Sequence, residues 1–198
     1  MNIYFYLIIV QIILLSVQGI LYLTVQKRHS TYNDMECVLD KKLPLIPQSI
    51  FIYILWFPLI AIYPLYLYFC NPVSYYTYIL AILMDIVISC IIYLNYPTSF
   101  TRPTFKTDTI SKKLLSILYK LNYKGLNCMP SMHCSMCFII LLSTVGCSTM
   151  PLCATILLCA ISCGIICSTV LTKQHVIIDV ITAFPLSLFC WILSLLIL

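Results

Sequence analysis

Along this chain apolar residues come in long blocks rather than at a helical or strand period. Four blocks without a charged side chain run from Ile3 to Gln26, Leu43 to Met84, Gly125 to Thr172 and Val180 to Leu198. A membrane-spanning helix needs about 20 apolar residues, so the longer blocks must hold two. Cutting them at Pro, Asn and charged positions predicts six spans, 3–25, 50–70, 75–94, 132–148, 150–170 and 176–198. Asn71-Pro72-Val73-Ser74 and Ser148-Thr149-Met150-Pro151 read as tight turns between neighbouring spans. The expected fold is all-α, an integral membrane six-helix bundle forming a single domain over 1–198.

One polar stretch has a period of its own. Ile110, Leu114, Ile117, Leu118 and Leu121 recur at helical spacing while Lys112, Lys113, Lys120 and Lys124 fill much of the remainder. That pattern predicts an amphipathic helix over 109–122 lying in the interface on anionic headgroups. A basic loop that only fixes topology fits the same residues equally well.

Composition supports the bilayer as solvent. The chain is 62% hydrophobic and 9% charged, with a mean hydropathy of +1.04, more apolar surface than a soluble domain of this size can bury. A nucleic-acid partner is not expected. The first block is too long and uniform for a signal peptide core, which predicts a retained helix. Of the 12 cysteines, eight lie inside apolar runs and read as small hydrophobes. Cys128, Cys134 and Cys137 cluster in sequence near His133 but lack the spacing of a tetrahedral site, so neither a metal nor another cofactor is expected.

Charge supplies orientation. All 11 Lys and Arg residues fall in three connections, 27–49, 95–130 and the short stretch around Lys173. With six spans these lie on one side, and the positive-inside rule makes that side cytoplasmic, in the cell membrane.

The remaining polar residues gather where spans meet that basic side. His175 and Asp179 are four apart, so a helix beginning here would bring carboxylate and imidazole together, fixing the tautomer and leaving the other ring nitrogen a better nucleophile. Arg102 offers a planar fork for phosphate oxygens, with Lys173, Ser131 and Ser168 as further donors. His133 has the chemistry to protonate a departing alkoxide. Any one of these alone is more often an interfacial anchor than a catalyst, and it is their joint occurrence that points to a site. Asp85, in the third predicted span, fits a buried structural hydrogen bond or a functional role, and His29 reads as a solvated loop residue.

These residues resemble the type-2 phosphatidic acid phosphatase superfamily, whose pattern is Lys, six residues, Arg-Pro; then Pro-Ser-Gly-His; then Ser-Arg, five residues, His, three residues, Asp. The corresponding positions are Arg102-Pro103, Pro130-Ser131-Met132-His133, and Ser168, His175 and Asp179. Asn95, Met132 and Thr169 depart from the pattern, removing two expected cations, one of which Lys173 restores. The stretch Thr172-Lys173-Gln174-His175 is similar to the branch of inositol-phosphorylceramide-synthase-like phosphotransferases. The resemblance implies a lipid-phosphate phosphatase with His175 as nucleophile, Asp179 orienting it, His133 as acid and base, and Arg102, Lys173, Ser131 and Ser168 on the phosphate, without metal. Its partners would be a lipid phosphate and the bilayer. Transfer of a phospho-head group between lipids is the alternative, and a catalytically weak protein binding anionic lipids a second; a small channel finds little support. Most relatives of this kind act on the outer or lumenal face, against the charge reading.

Overall fold

The computed structural model describes residues 3–26, 28, 30–121 and 125–198. Lys27, His29 and Lys124, and Asn122 at the end of the predicted interfacial helix, lie outside these described residues. The elements in chain order are α1 (Ile3–Gln26), β1 (Asn33–Asp34), α2 (Val38–Lys42), a 3-10 turn (Pro47–Ser49), α3 (Ile50–Tyr53), α4 (Trp56–Cys70), α5 (Pro72–Asn95), β2 (Thr98–Ser99), α6 (Ile110–Leu121), α7 (Met132–Gly146), α8 (Leu152–Leu171) and α9 (Ile177–Ile197).

Among the described residues, five helical segments are long and apolar enough to cross a membrane: Ile3–Val25, Pro47–Cys70, Pro72–Asn95, Leu152–Leu171 and Ile177–Ile197. They are the structural basis for a membrane-embedded, predominantly helical protein. The apolar helix α7 has only 15 residues. At 1.5 Å per residue it spans about 22 Å, short of a hydrocarbon core of about 30 Å.

α7 is nevertheless the hub, packed against α4, α5, α8 and α9. Small polar side chains let its neighbours approach and bind them across helices. Ser135 Oγ donates to Asp85 Oδ2 of α5 at 2.6 Å, and Ser187 Oγ of α9 donates to the Ser135 carbonyl at 3.0 Å. Asp85, which the sequence left without a named partner, is thus part of an interhelical hydrogen-bond chain at the centre of the bundle. Farther along, Tyr63 Oη of α4 accepts from Thr144 Oγ1 at 3.0 Å and lies 2.6 Å from Ser143 Oγ. α1 leans on the outside, pinned by Gln11 Nε2 donating to the Ile60 carbonyl at 2.7 Å.

Four details differ from the sequence expectations. The second span is not a continuous helix: Pro58 has no N–H for the Ile54 carbonyl, and the ladder tightens there, with Leu55 N bonding Ile52 O at 3.1 Å and Phe57 N bonding Ile54 O at 3.2 Å. The predicted turn 71–74 shrinks to Asn71, whose Oδ1 caps α5 by accepting from Val73 N and Ser74 N, with Pro72 in the first helical position.

The two long connections are not plain loops either. β1 and β2 pair in parallel, Asn33 with Thr98 and Asp34 with Ser99, which joins the first connection to the second at one end of the molecule. Finally, α6 does not float free: Leu115 is fully buried against Ile50 and Tyr53, while Ile110, Ile117 and Leu121 stay exposed. Its apolar stripe is divided between the protein and the surroundings.

Candidate functional site

The site grows from the turn between α8 and α9. The amides of Gln174 and His175 both donate to the Thr169 carbonyl, at 2.9 and 3.1 Å, and Lys173 takes a left-handed φ of 51° to make the reversal. His175 therefore stands before α9, not on it. Asp179, in the first turn of that helix, folds back: its Oδ2 accepts from Val176 N at 3.0 Å and from His175 Nδ1 at 3.1 Å. The two side chains meet because the carboxylate caps the helix start, whereas the sequence argument had placed both on one helical face. With Nδ1 engaged, Nε2 is the remaining ring nitrogen.

His133 enters from α7. Ser131 is the N-cap, its Oγ accepting from Cys134 N at 3.2 Å, and its own N–H donates to the Asp179 carbonyl at 3.1 Å. That last bond ties the start of α7 to the start of α9, and the His133 and His175 rings lie 5.7 Å apart, centroid to centroid. The break in the second span supplies the other walls. Tyr53, before the break, places its hydroxyl 2.9 Å from His133 Nε2, and Trp56, after it, lies 4.3 Å from the His133 ring.

Both histidines line a cavity of about 310 Å³ bounded largely by apolar side chains of α1, α4 and α5, among them Leu15, Tyr22, Phe57 and Ile60. Arg102 and Lys173 line a different one, of about 410 Å³, with Glu36, Asp40 and Lys41. The segment from Lys173 to Val176 contributes to both. Arg102 Nη2 donates to Gln174 Oε1 at 3.0 Å, and its guanidinium stacks 4.8 Å from the Tyr119 ring. Burial lowers its pKa from the ordinary value, yet a guanidinium keeps its charge in a protein. Lys173 Nζ donates to the Asp40 carbonyl at 2.7 Å. Ser168 gives its proton to Ile165 O at 2.6 Å within α8, and neither Ser131 nor Ser168 lines either cavity. The structure thus brings His133, His175 and Asp179 together, sets Arg102 and Lys173 beside them, and uses both serines in local structure.

Several residues were invisible to sequence reasoning. Asp40, buried at 3% exposure, accepts from Ile177 N at 2.8 Å and from Cys37 N at 2.9 Å, fastening α9 from 137 residues away. Burial alone would raise its carboxyl pKa; the hydrogen bonds from Cys37 and Ile177 and the charge of Lys173 outweigh that and hold it below the ordinary 3.8. Thr98 Oγ1 accepts from Cys128 N and Met129 N at 3.0 and 3.2 Å, shaping the loop before α7. That loop opens at Gly125, φ 55°, where a Cβ would come within 3.3 Å of the Phe100 carbonyl, and it carries Asn127, also lining the histidine cavity. The only early signals were a lone Asp among lysines and a Gly-Leu-Asn turn.

Cys128, His175 and Asp179 place metal-binding atom types within 4.8 Å of one another. Burial, reinforced by the Asp179 charge, pushes the Cys128 thiol well above its ordinary value, and its Sγ donates to Leu126 O at 3.5 Å. Cys134 and Cys137, grouped with it in sequence, point elsewhere, Cys134 to Thr169 Oγ1 at 3.4 Å and Cys137 into the apolar core. No family model, curated protein or solved structure matches the chain.

Proposed function

We propose that this protein is a membrane lipid-phosphate phosphatase working through a phosphohistidine. The observation that carries the reading is a histidine with one nitrogen held by a buried carboxylate, sharing an apolar cavity with a second histidine. His175 Nε2 attacks phosphorus and forms an N–P bond; the bond to the lipid oxygen breaks, and His133 gives that oxygen its proton. Water then attacks the phosphohistidine, His133 takes a proton from it, and phosphate leaves with His175 restored. Asp179 holds the imidazole, and Tyr53 orients His133. Arg102, released from Gln174, and Lys173 approach from the second cavity to balance the phosphoryl oxygens. The motif resemblance around Arg102, His133 and His175 supports the same assignment.

In this reading α7 is a short sixth span beginning at Met132, and the basic connections lie on the cytoplasmic side. One feature favours a second outcome: the polar cavity beside Lys173 has room for a polyol, which as acceptor in place of water makes the protein a phosphotransferase.

Purified protein supplied with phosphatidic acid, sphingosine phosphate and prenyl phosphates should release phosphate, and His175→Ala should abolish release while keeping the wild-type far-UV circular dichroism. Undiminished turnover by that variant sinks the nucleophile. Adding inositol to a radiolabelled lipid phosphate separates hydrolysis from transfer by whether label appears on inositol.

A further inference from the structure

α1 meets the rest of the bundle along one stripe, and the stripe is interrupted. Leu7, Gln11, Leu14, Gln18, Tyr22 and Val25 recur three or four residues apart, so they share a face. Leu7, Gln11, Leu14 and Val25 are buried, but no residue from Leu15 to Thr24 is. Over that stretch the face of α1 lines the histidine cavity instead, through Leu15, Gln18, Gly19 and Tyr22. Hydrogen bonds fasten the helix before the gap and at its far end, from Gln11 Nε2 to the Ile60 carbonyl at 2.7 Å and from Tyr22 Oη to the Leu126 carbonyl at 3.3 Å. Between them Gln18 Nε2 reaches only Met136 Sδ, at 3.7 Å, a weak acceptor.

Gly19 sits in the middle of this gap, inside a helix, where glycine costs stability. In helices of this kind a glycine is explained by a neighbour that comes close. Gly164 and Gly146 fit that account, since a Cβ on them would lie 3.3 Å from Ile52 and 3.5 Å from Trp191. A Cβ on Gly19 would have nothing within 4 Å, and the residue is only half-buried. The space in front of it is open and reachable.

Across the gap stand Trp56, Phe57 and Ile60 of α4. Phe57 is 50% exposed, so it belongs to both the cavity wall and the outer surface, and His133 on the inner wall keeps part of its own surface open. Both edges of the gap belong to segments long and apolar enough to cross a membrane, Ile3–Val25 and Pro47–Cys70. Their outward neighbours Ile12, Ile20 and Ile62 are exposed. What adjoins the gap at that depth is bilayer hydrocarbon, not water.

We infer that the gap between α1 and α4 is a lateral portal, through which the substrate's hydrocarbon chain passes from the bilayer into the histidine cavity, and that the missing side chain at Gly19 sets the width of chain admitted. The inference rests on the reading of His175 as the phosphate-accepting residue. Leu15 to Tyr22 gives the chain about 10 Å of helix to lie against. A lipid entering sideways keeps its chain in hydrocarbon while its phosphate moves to the histidines, so no apolar surface crosses water. α1 stays fastened at Gln11 and Tyr22 throughout.

Gly19→Ala, Gly19→Leu and Gly19→Phe form a graded series, with Ile20→Phe as the control on the outward face. Glycine is a poor helix former, so none of the series should melt below wild type. The kcat/KM for hexadecyl phosphate relative to butyl phosphate should fall along the series, by about 10- to 100-fold for Gly19→Phe, the range for forcing a chain into occupied space. Ile20→Phe should leave the ratio at the wild-type value. A ratio that Gly19→Phe leaves within twofold of wild type overturns the inference, as does an equal loss in Ile20→Phe.

Labelling separates this result from the catalytic reading. In a His175→Ala protein, hexadecyl phosphate with a photoreactive diazirine at mid-chain should mark Leu15, Gly19 or Tyr22 on α1 and Phe57 or Ile60 on α4. Excess unlabelled hexadecyl phosphate should remove those marks, and so should Gly19→Phe. Competed labelling there, by a protein whose wild-type form turns over no lipid phosphate, removes the phosphohistidine and leaves the portal standing. Turnover with labelling confined to Ile12, Val17, Ile20 or Leu23 does the reverse. Labelling that no competitor removes, or none at all, sinks the portal.

Discussion

Asp40 provides a test of how the site is held. Its carboxylate accepts from two backbone N–H groups, Ile177 at 2.8 Å and Cys37 at 2.9 Å. A hydrogen bond to a charged group contributes about 1.5–3 kcal/mol, so Asp40→Ala should destabilise the protein by about 3 kcal/mol, taking the low end because the surroundings admit water once the side chain is gone. For a chain of this size each kcal/mol moves Tm by about 2–4 °C, giving a fall of about 6–12 °C. Asp40→Asn keeps one acceptor and should lose about half as much. The acid dependence has a definite sign. Because the folded carboxyl titrates below 3.8, its contribution is full above about pH 4 and is lost as pH falls through the lowered value. The gap in Tm between wild type and Asp40→Asn should therefore close as the pH falls below about 4. Thermal unfolding in detergent micelles, followed by far-UV circular dichroism across that range, measures both effects. An Asp40→Ala protein that melts within 2 °C of wild type at pH 7, or a gap that widens in acid, would refute the reasoning.

Other expectations are simpler to state. Tyr53→Phe removes the hydroxyl 2.9 Å from His133 Nε2 but not the ring; kcat should fall about tenfold with little change in KM, and an unaltered kcat would remove Tyr53 from the mechanism. Leu115→Ala should cost about 2–5 kcal/mol and expose 110–121 to protease, since this fully buried residue docks α6; resistance equal to wild type contradicts that docking. For sidedness, a cysteine placed at exposed Thr107 should react with an impermeant reagent only after cells are opened, while one at Ser148 should react in intact cells. Ser148 belongs to the other end, where Thr149 bonds the Cys70 carbonyl; the reverse pattern would put the site outside.

The sequence made the apolar helices legible because a bilayer solvent imposes length and composition directly; α1 fills its block, α8 ends with its own, and α5 continues past the Asp85 that closes its block. It was weaker where one residue acts on another far away. The break after Tyr53 follows from Pro58, yet the contacts of Tyr53 and Trp56 with His133 depend on how α7 packs. His175 and Asp179 were paired by spacing, and they do meet, but through a carboxylate folding back on a helix start. Asp40 gave almost no local signal, because what it binds is an amide 137 residues away.

In the proposed reading, the shortness of α7 sets the depth of the reaction. A 15-residue helix leaves several ångströms of hydrocarbon thickness uncovered, and His133 lies at its first turn. In that reading the gap is closed either by the bilayer, thinning around the protein, or by the substrate, sinking its phosphate below the plane of its neighbours. Either way lipid length becomes a control on the protein: in vesicles built from progressively longer acyl chains, the headgroup plane rises away from His133 and His175, and a lipid phosphate must travel farther to reach them.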